Sequence, residues 1–196
     1  MKILNKIFLA IILSLIITSA NAKDPIEFIS EVTSSASNIL KEDISIEQKA
    51  DKLIKLAESS LDINGIGMYS LGKHRKSIND EQLTKYKKTF REYFLKSFSS
   101  RLSQYSDPKI NVLSQKVINE KYTIVSSVLI ATSERPAVKI EWRVYTKDSN
   151  NPVIRDLIIE GLSLARTQKE EFNSVIQGAN GDVSALIANL EEFNSK

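Results

Sequence analysis

Side chains able to do chemistry are few in this chain, and they do not gather. The single histidine, His74, lies within the basic run Lys73-His74-Arg75-Lys76. An imidazole acts as general base or metal ligand only beside suitable partners, and here no Ser or Cys nucleophile pattern and no second histidine accompany it. A solvated surface histidine is therefore expected, and no metal site. Asp156 and Glu160 fall on one face of a predicted strand, where paired carboxylates could serve as general acid and base. Two carboxylates so spaced are far more often exposed partners of Lys or Arg, so substituting His74 or Asp156 should leave function near normal. Gly65-x-Gly67 lacks the preceding strand and the spacing of a phosphate loop, and is read as a turn or close-packing pair. With no cysteine, thiolate chemistry and disulfides are both excluded.

The elements around these residues are easier to read. Pro25 opens a helix with Phe28, Val32, Ala36, Ile39 and Leu40 on one face. Ser45 and Gln48 have capping-box form ahead of a second helix over 45–59, with Ala50, Leu53, Ile54 and Ala57 at helical spacing. In the segment 61–76 three glycines weaken the helical pattern. Asn79 and Gln82 then cap a long helix whose stripe runs through Tyr86, Phe90, Tyr93, Phe94, Phe98 and Tyr105 until Pro108 stops it. Such a stripe can pack a core at one end and line an apolar cavity at the other.

Beyond Lys109 the period shortens. Four β-rich runs, 110–118, 122–132, 136–146 and 153–160, are separated by turn-forming Asn119-Glu-Lys, Ser133-Glu-Arg and Asp148-Ser-Asn-Asn. Val138, Ile140, Trp142 and Val144 alternate with Lys139, Glu141, Arg143 and Tyr145, which predicts one buried and one largely solvated face. Glu160-Gly161 turns the last strand into a helix capped by Ser163, and Asp182 caps a final short helix. Helices, then a meander, then helices again predict an α+β fold: a four-strand antiparallel meander covered by helices in one domain.

At the N-terminus, Lys2 and Lys6 precede an apolar run from Ile7 to Ile17, and Ala20-Asn-Ala22 fits a small-residue cleavage pattern. The expectation is a signal peptide over 1–22, cleaved after Ala22, and a mature domain over 23–196. The apolar run is shorter than the ~20 residues a spanning helix needs. Losing Lys2 and Lys6 lowers the formal charge from +3 to +1, and so near-balanced a chain is not expected to bind nucleic acid. A monomer is expected.

Several stretches carry a family resemblance. Asp24-Pro-Ile-x-Phe, Ile66-Gly-Met-Tyr-Ser-Leu-Gly-Lys, Phe90-x-x-Tyr-Phe, Ser100-Arg-Leu-x-x-Tyr, Val138-x-Ile-x-Trp-Arg-Val and the ending Glu-Gly-Leu-Ser-Leu, Arg-Thr-Gln-Lys-x-Glu-Phe and Gly-Asp-Val-x-x-Leu-Ile resemble, in order, the MlaC-like periplasmic phospholipid-binding proteins. These are also called toluene-tolerance auxiliary proteins. Asn150-Asn-Pro-Val-Ile departs from the usual Gly-Gly-Trp-Lys-Val before the last strand. The resemblance implies a cystatin-like cone whose apolar cavity holds acyl chains. It also implies a soluble carrier, not an enzyme, that shuttles glycerophospholipid between an outer-membrane lipoprotein/porin complex and an inner-membrane ABC transporter with its substrate-binding ring. Phospholipid would be cargo, and no cofactor is expected.

On that basis the lipid contacts are expected at Met68, Tyr69, Phe90, Phe94, Phe98, Val128, Ile140, Trp142 and Ile159. Headgroup or membrane contact is expected at Lys73, Arg75 and Lys76. Two other readings stay open: a small cone-fold enzyme using carboxylates in the cavity, and a periplasmic chaperone or adaptor that binds peptides on the same apolar surface.

Overall fold

The structure, a computed structural model, describes residues 22–133 and 135–196; of the expected export segment only Ala22 falls within them. Helix α1 (Pro25–Lys41) begins where Pro25 presets the first turn and the Asp24 carboxylate accepts from the Ile26 and Glu27 amides. Helix α2 (Ile46–Ser60) has both arms of the Ser45/Gln48 capping box. Its C-terminal neighbour Leu61 bridges in parallel to Ile154, fastening the helical layer to the sheet.

The glycine-containing segment is more helical than its composition predicts. Helix α3 (Ile63–Ser70) is followed by a 3-10 turn over Gly72–Lys76. Tertiary packing overrides propensity here: a Cβ on Gly67 would stand 2.7 Å from the Phe90 ring, so only glycine lets the two helices approach so closely. Gly65 carries the amide that the Asp62 cap holds at 2.8 Å.

Helix α4 (Asp80–Leu102) has the Asn79/Gln82 capping box and ends before Pro108, leaving Tyr105 in the turn that follows. Its aromatic stripe divides along its length. Tyr86 and Phe90 are buried and meet Phe172 edge-on at 6.5 and 6.0 Å. Phe94 and Phe98, stacked at 6.1 Å, are only half-buried.

Strands β1 (Ile110–Asn119), β2 (Tyr122–Leu129), β3 (Val138–Tyr145) and β4 (Val153–Ile159) form the expected antiparallel meander. A two-residue β5 (Leu162–Ser163) extends it to five strands, because the turn at Glu160 and Gly161, both at positive φ, folds the chain back on β4 before Ser163 caps α5 (Leu164–Gly178). Asp182 then caps α6 (Val183–Ser195). The inward face carries Val125, Leu129, Ile140, Trp142, Val144 and Ile154 against the helices. Ser127, also inward and fully buried, accepts from the Trp142 indole Nε1 at 2.8 Å and donates to the Ile140 carbonyl, which fixes the indole.

Tyr86 offers a test of this core. Its hydroxyl donates to the Gly67 carbonyl at 2.8 Å, and burial pushes its ionisation well above the ordinary tyrosine range. The folded state therefore keeps the proton while an unfolded tyrosine gives it up above pH ~10. This contribution is whole below pH ~10 and falls by about 1.4 kcal/mol per pH unit above it. Tyr86→Phe is expected to cost about 1 kcal/mol at neutral pH by removing a buried hydrogen bond, while the Gly67 carbonyl keeps the Leu71 amide at 3.1 Å. Urea titrations at pH 8 and pH 11 should show the gap between wild type and variant shrinking at the higher pH; a constant gap would refute the assignment.

Candidate functional site

A strongly apolar space lies between the inward sheet face and the helices. It is a cavity of about 360 Å³ walled by Val32, Ala36 and Leu40 from α1, Leu53 and Leu56 from α2, Phe98 and Leu102 from α4, and Ile140, Trp142, Leu157 and Ile159 from the sheet. A second chamber of about 240 Å³ lies between α4 and α5, lined by Phe90, Tyr93, Phe94, Leu164 and Gln168, with Arg101 and Glu171 among its polar residues. The two share Leu61, Phe98 and Leu157, so they form adjoining compartments with the Phe98 ring at their junction. In the second chamber the Tyr93 hydroxyl donates to Gln168 Oε1 at 3.1 Å; burial and the nearby Glu171 carboxylate raise its ionisation.

Space of this kind is unusual. Protein interiors are packed close to crystal density, and an apolar void forfeits the contacts its lining would otherwise make. A fold that keeps an apolar cavity adjoining an aromatic chamber with a charged edge is suited to a ligand that is largely apolar.

Phe90, Phe94, Phe98, Ile140, Trp142 and Ile159 line one chamber or the other. Val128 does not. Strand β2 alternates half-buried and buried residues, and Val128 pairs with Lys139, so it belongs to the outward face with Ile124 and Ser126. The expectation that it walls the cavity fails on this register; Leu129, the next residue, occupies that role.

Met68 and Tyr69 also lie elsewhere. They line a separate groove of about 710 Å³ over the outward sheet face, together with Arg75, Lys116, Tyr122, Ile124, Arg143 and Ile158. Of the basic run, Arg75 borders this groove, whereas Lys73 and Lys76 are exposed and line none of these spaces.

Both candidate chemical groups sit differently from expectation. His74 is buried, not solvated: it is 6% exposed, and its Nε2 lies 3.2 Å from Asn173 Oδ1 on α5. The 3-10 turn points it inward while Lys73, Arg75 and Lys76 point out. Asp156 is 3% exposed and has its oxygens occupied, one accepting from Ser163 Oγ at 2.6 Å and the other from the Ala165 amide at 3.0 Å. Glu160 lies beyond β4 in the exposed turn, where it accepts from the Lys139 amide. The two carboxylates form no catalytic pair. Among the described residues no group of three or more His, Asp or Glu side chains converges as a metal site.

Sequence reasoning missed the α1 and α2 wall and Leu157. The α1 stripe was legible as a packing face, but a packing face and a cavity wall have the same composition. Only the distance between layers separates them.

Arg155 was not singled out either. It forms a bulge opposite the Arg143/Val144 step, bonds Asp62 through Nε at 2.7 Å and Nη2 at 2.6 Å, donates to Tyr122 Oη at 3.0 Å and stacks on Tyr145. It thereby ties the cap of α3 to the sheet beside the second chamber.

The family model described as MlaC protein matches residues 30–192. A solved structure described as the phospholipid-binding protein from Ralstonia solanacearum, in complex with a phospholipid, has the same fold with a TM-score of 0.74 at 18% identity, covering 88% of this chain and 98% of that one. No curated protein matches the chain by sequence. With helices folded over a meander, and a family match running from α1 into α6, the chain belongs to the MlaC family.

Proposed function

We propose that this protein is a periplasmic phospholipid carrier that holds acyl chains in the two linked apolar chambers and releases them to partner complexes without chemical change. The observation that carries this reading is the pair of adjoining chambers, the larger lined almost wholly by apolar side chains and the smaller by an aromatic wall with charged residues at its edge. The Ralstonia solanacearum relative in fold, described as bound to a phospholipid, supports the same class of cargo.

Energetics favour a carrier of this form. Each methylene moved from water into an apolar site gains roughly 0.8 kcal/mol, so about 30 methylenes cannot cross water exposed without a cost on the order of 20 kcal/mol or more. Transfer from bilayer to a pocket of Leu, Ile, Val and Phe exchanges one dry site for another and is close to neutral. The carrier therefore needs no fuel of its own. Its proposed partners, an outer-membrane lipoprotein/porin complex and an inner-membrane ABC transporter with a substrate-binding ring, would set the direction. Among the described residues no helix is long and apolar enough to cross a membrane.

Native mass spectrometry of the exported protein tests both cargo and compartment. The expected species begins at Lys23 and carries co-purified phospholipid that organic extraction removes. An uncleaved, membrane-bound chain would overturn the export reading. An exported chain that never retains phospholipid would overturn the carrier.

A further inference from the structure

The groove over the outward sheet face differs from the two chambers in its charge. Arg75, Lys116, Arg143 and Arg155 face only Glu141 and Asp156 among its lining residues, an excess of two positive charges. The aromatic chamber is balanced, with Arg101 and Arg155 against Asp156 and Glu171. Several groove charges are already engaged: Arg155 by Asp62, Glu141 by Lys139 at 3.0 Å, and Asp156 by Ser163 and Ala165. Arg143 reaches Asp156 only at 3.7 Å. Arg75 and Lys116 are exposed and have no ion-pair partner among the described residues. Arg75 and Lys116 thus border the groove unpaired, beside an Arg143 held only at 3.7 Å.

The groove is not remote from the apolar space. It shares Arg155, Asp156 and Ala165 with the aromatic chamber, which in turn adjoins the main cavity. The aromatic chamber therefore meets the cationic groove at the β4 bulge and the start of α5, with the main cavity on its other side. That sequence of environments matches an amphiphile with apolar tails and one anionic group. Guanidinium and ammonium groups bind phosphate oxygens through charge-assisted hydrogen bonds.

We infer that the groove lined by Arg75, Lys116 and Arg143 binds the phosphate of the phospholipid headgroup, with the tails in the adjoining chambers. The inference rests on reading those chambers as acyl-chain sites. It makes the protein selective for lipids that carry a phosphate, and not merely for apolar chains.

The test compares a phospholipid with the diacylglycerol of identical tails, each offered to delipidated protein from mixed vesicles and counted by native mass spectrometry. Wild type is expected to take up the phospholipid at least tenfold better. Arg75→Glu/Lys116→Glu replaces two exposed side chains that make no bonds in the structure, so folding should be unaffected. It should bring the ratio close to one while diacylglycerol uptake persists. Arg143→Gln, which removes charge at the third position, should lower the ratio in the same direction.

A ratio unchanged within twofold in the double variant overturns the inference, including the case where Arg101→Gln at the aromatic chamber abolishes it instead. Binding of neither lipid by wild type would defeat the carrier reading itself, a distinct outcome. Phosphorus NMR with sn-glycerol phosphate separates lipid from free phosphate as the source. Equal binding to lipid-loaded and empty protein would show a free-phosphate site and overturn the headgroup assignment, whereas binding blocked by loaded lipid supports it.

Discussion

Ile140→Trp is expected to empty the protein of lipid, and Val128→Trp is expected to leave it loaded. Ile140 faces inward on β3 and lines the main cavity, whereas Val128 lies on the neighbouring strand but on the opposite face. An indole at position 140 would extend into space the structure leaves unfilled. Lipid content should fall at least tenfold, while the stability of delipidated protein changes by less than ~1 kcal/mol. In a filled core the same enlargement would cost about 1–3 kcal/mol by overpacking. The comparison must use delipidated protein, because bound ligand stabilises the native state by mass action and its loss would otherwise pass for a packing defect. Thermal melts beside lipid counts decide the matter. A destabilised Ile140→Trp that still carries lipid would mean that the cavity does not hold the chains.

The contrast between those two positions shows where sequence reasoning succeeds and where it stops. Strand existence and the inward set of β3 follow from strict alternation, and Ile140 and Trp142 were legible for that reason. Strand β2 is apolar on both faces, with Ile124 and Val128 on one and Val125 and Leu129 on the other, so its own pattern cannot say which set points to the helices. Only pairing with β3 resolves it: Val128 lies opposite Lys139, and Ser127 lies opposite Ile140. The capping boxes at Ser45 and Asn79 and the cap at Ser163 were readable because a cap is a local arrangement. His74 and Asp156 were not, since each is buried by α5, which reaches His74 from 99 positions along the chain and folds back onto Asp156 through the turn after β4. A polar residue within a charged run or on an alternating strand looks solvated until another element folds onto it.

Asp156 therefore warrants the opposite expectation from an exposed carboxylate. Its side chain is 1% exposed and anchors the start of α5 twice, through Ser163 Oγ and the Ala165 amide. Ser163 in turn uses its oxygen to accept from the Arg166 amide as the helix cap, so one carboxylate orients the hydroxyl that opens the helix. Asp156→Ala should destabilise the fold by about 3 kcal/mol, near the lower end for breaking a buried charged contact, because Arg143 is partly exposed and can resolvate. Asp156→Asn retains an acceptor for Ala165, but its amide now donates toward Ser163, whose hydroxyl hydrogen then loses its acceptor. A smaller cost of about 1–2 kcal/mol follows. Leu164 and Ala165 line the aromatic chamber, so a frayed α5 start should open that chamber as well as weaken the fold. Hydrogen exchange should rise first at Ala165 and Arg166, and lipid retention after dilution should fall in the order wild type, Asn, Ala. Wild-type melting and lipid retention in Asp156→Ala would show that α5 docks without this carboxylate, through its apolar face at Phe172 and Ile176 alone.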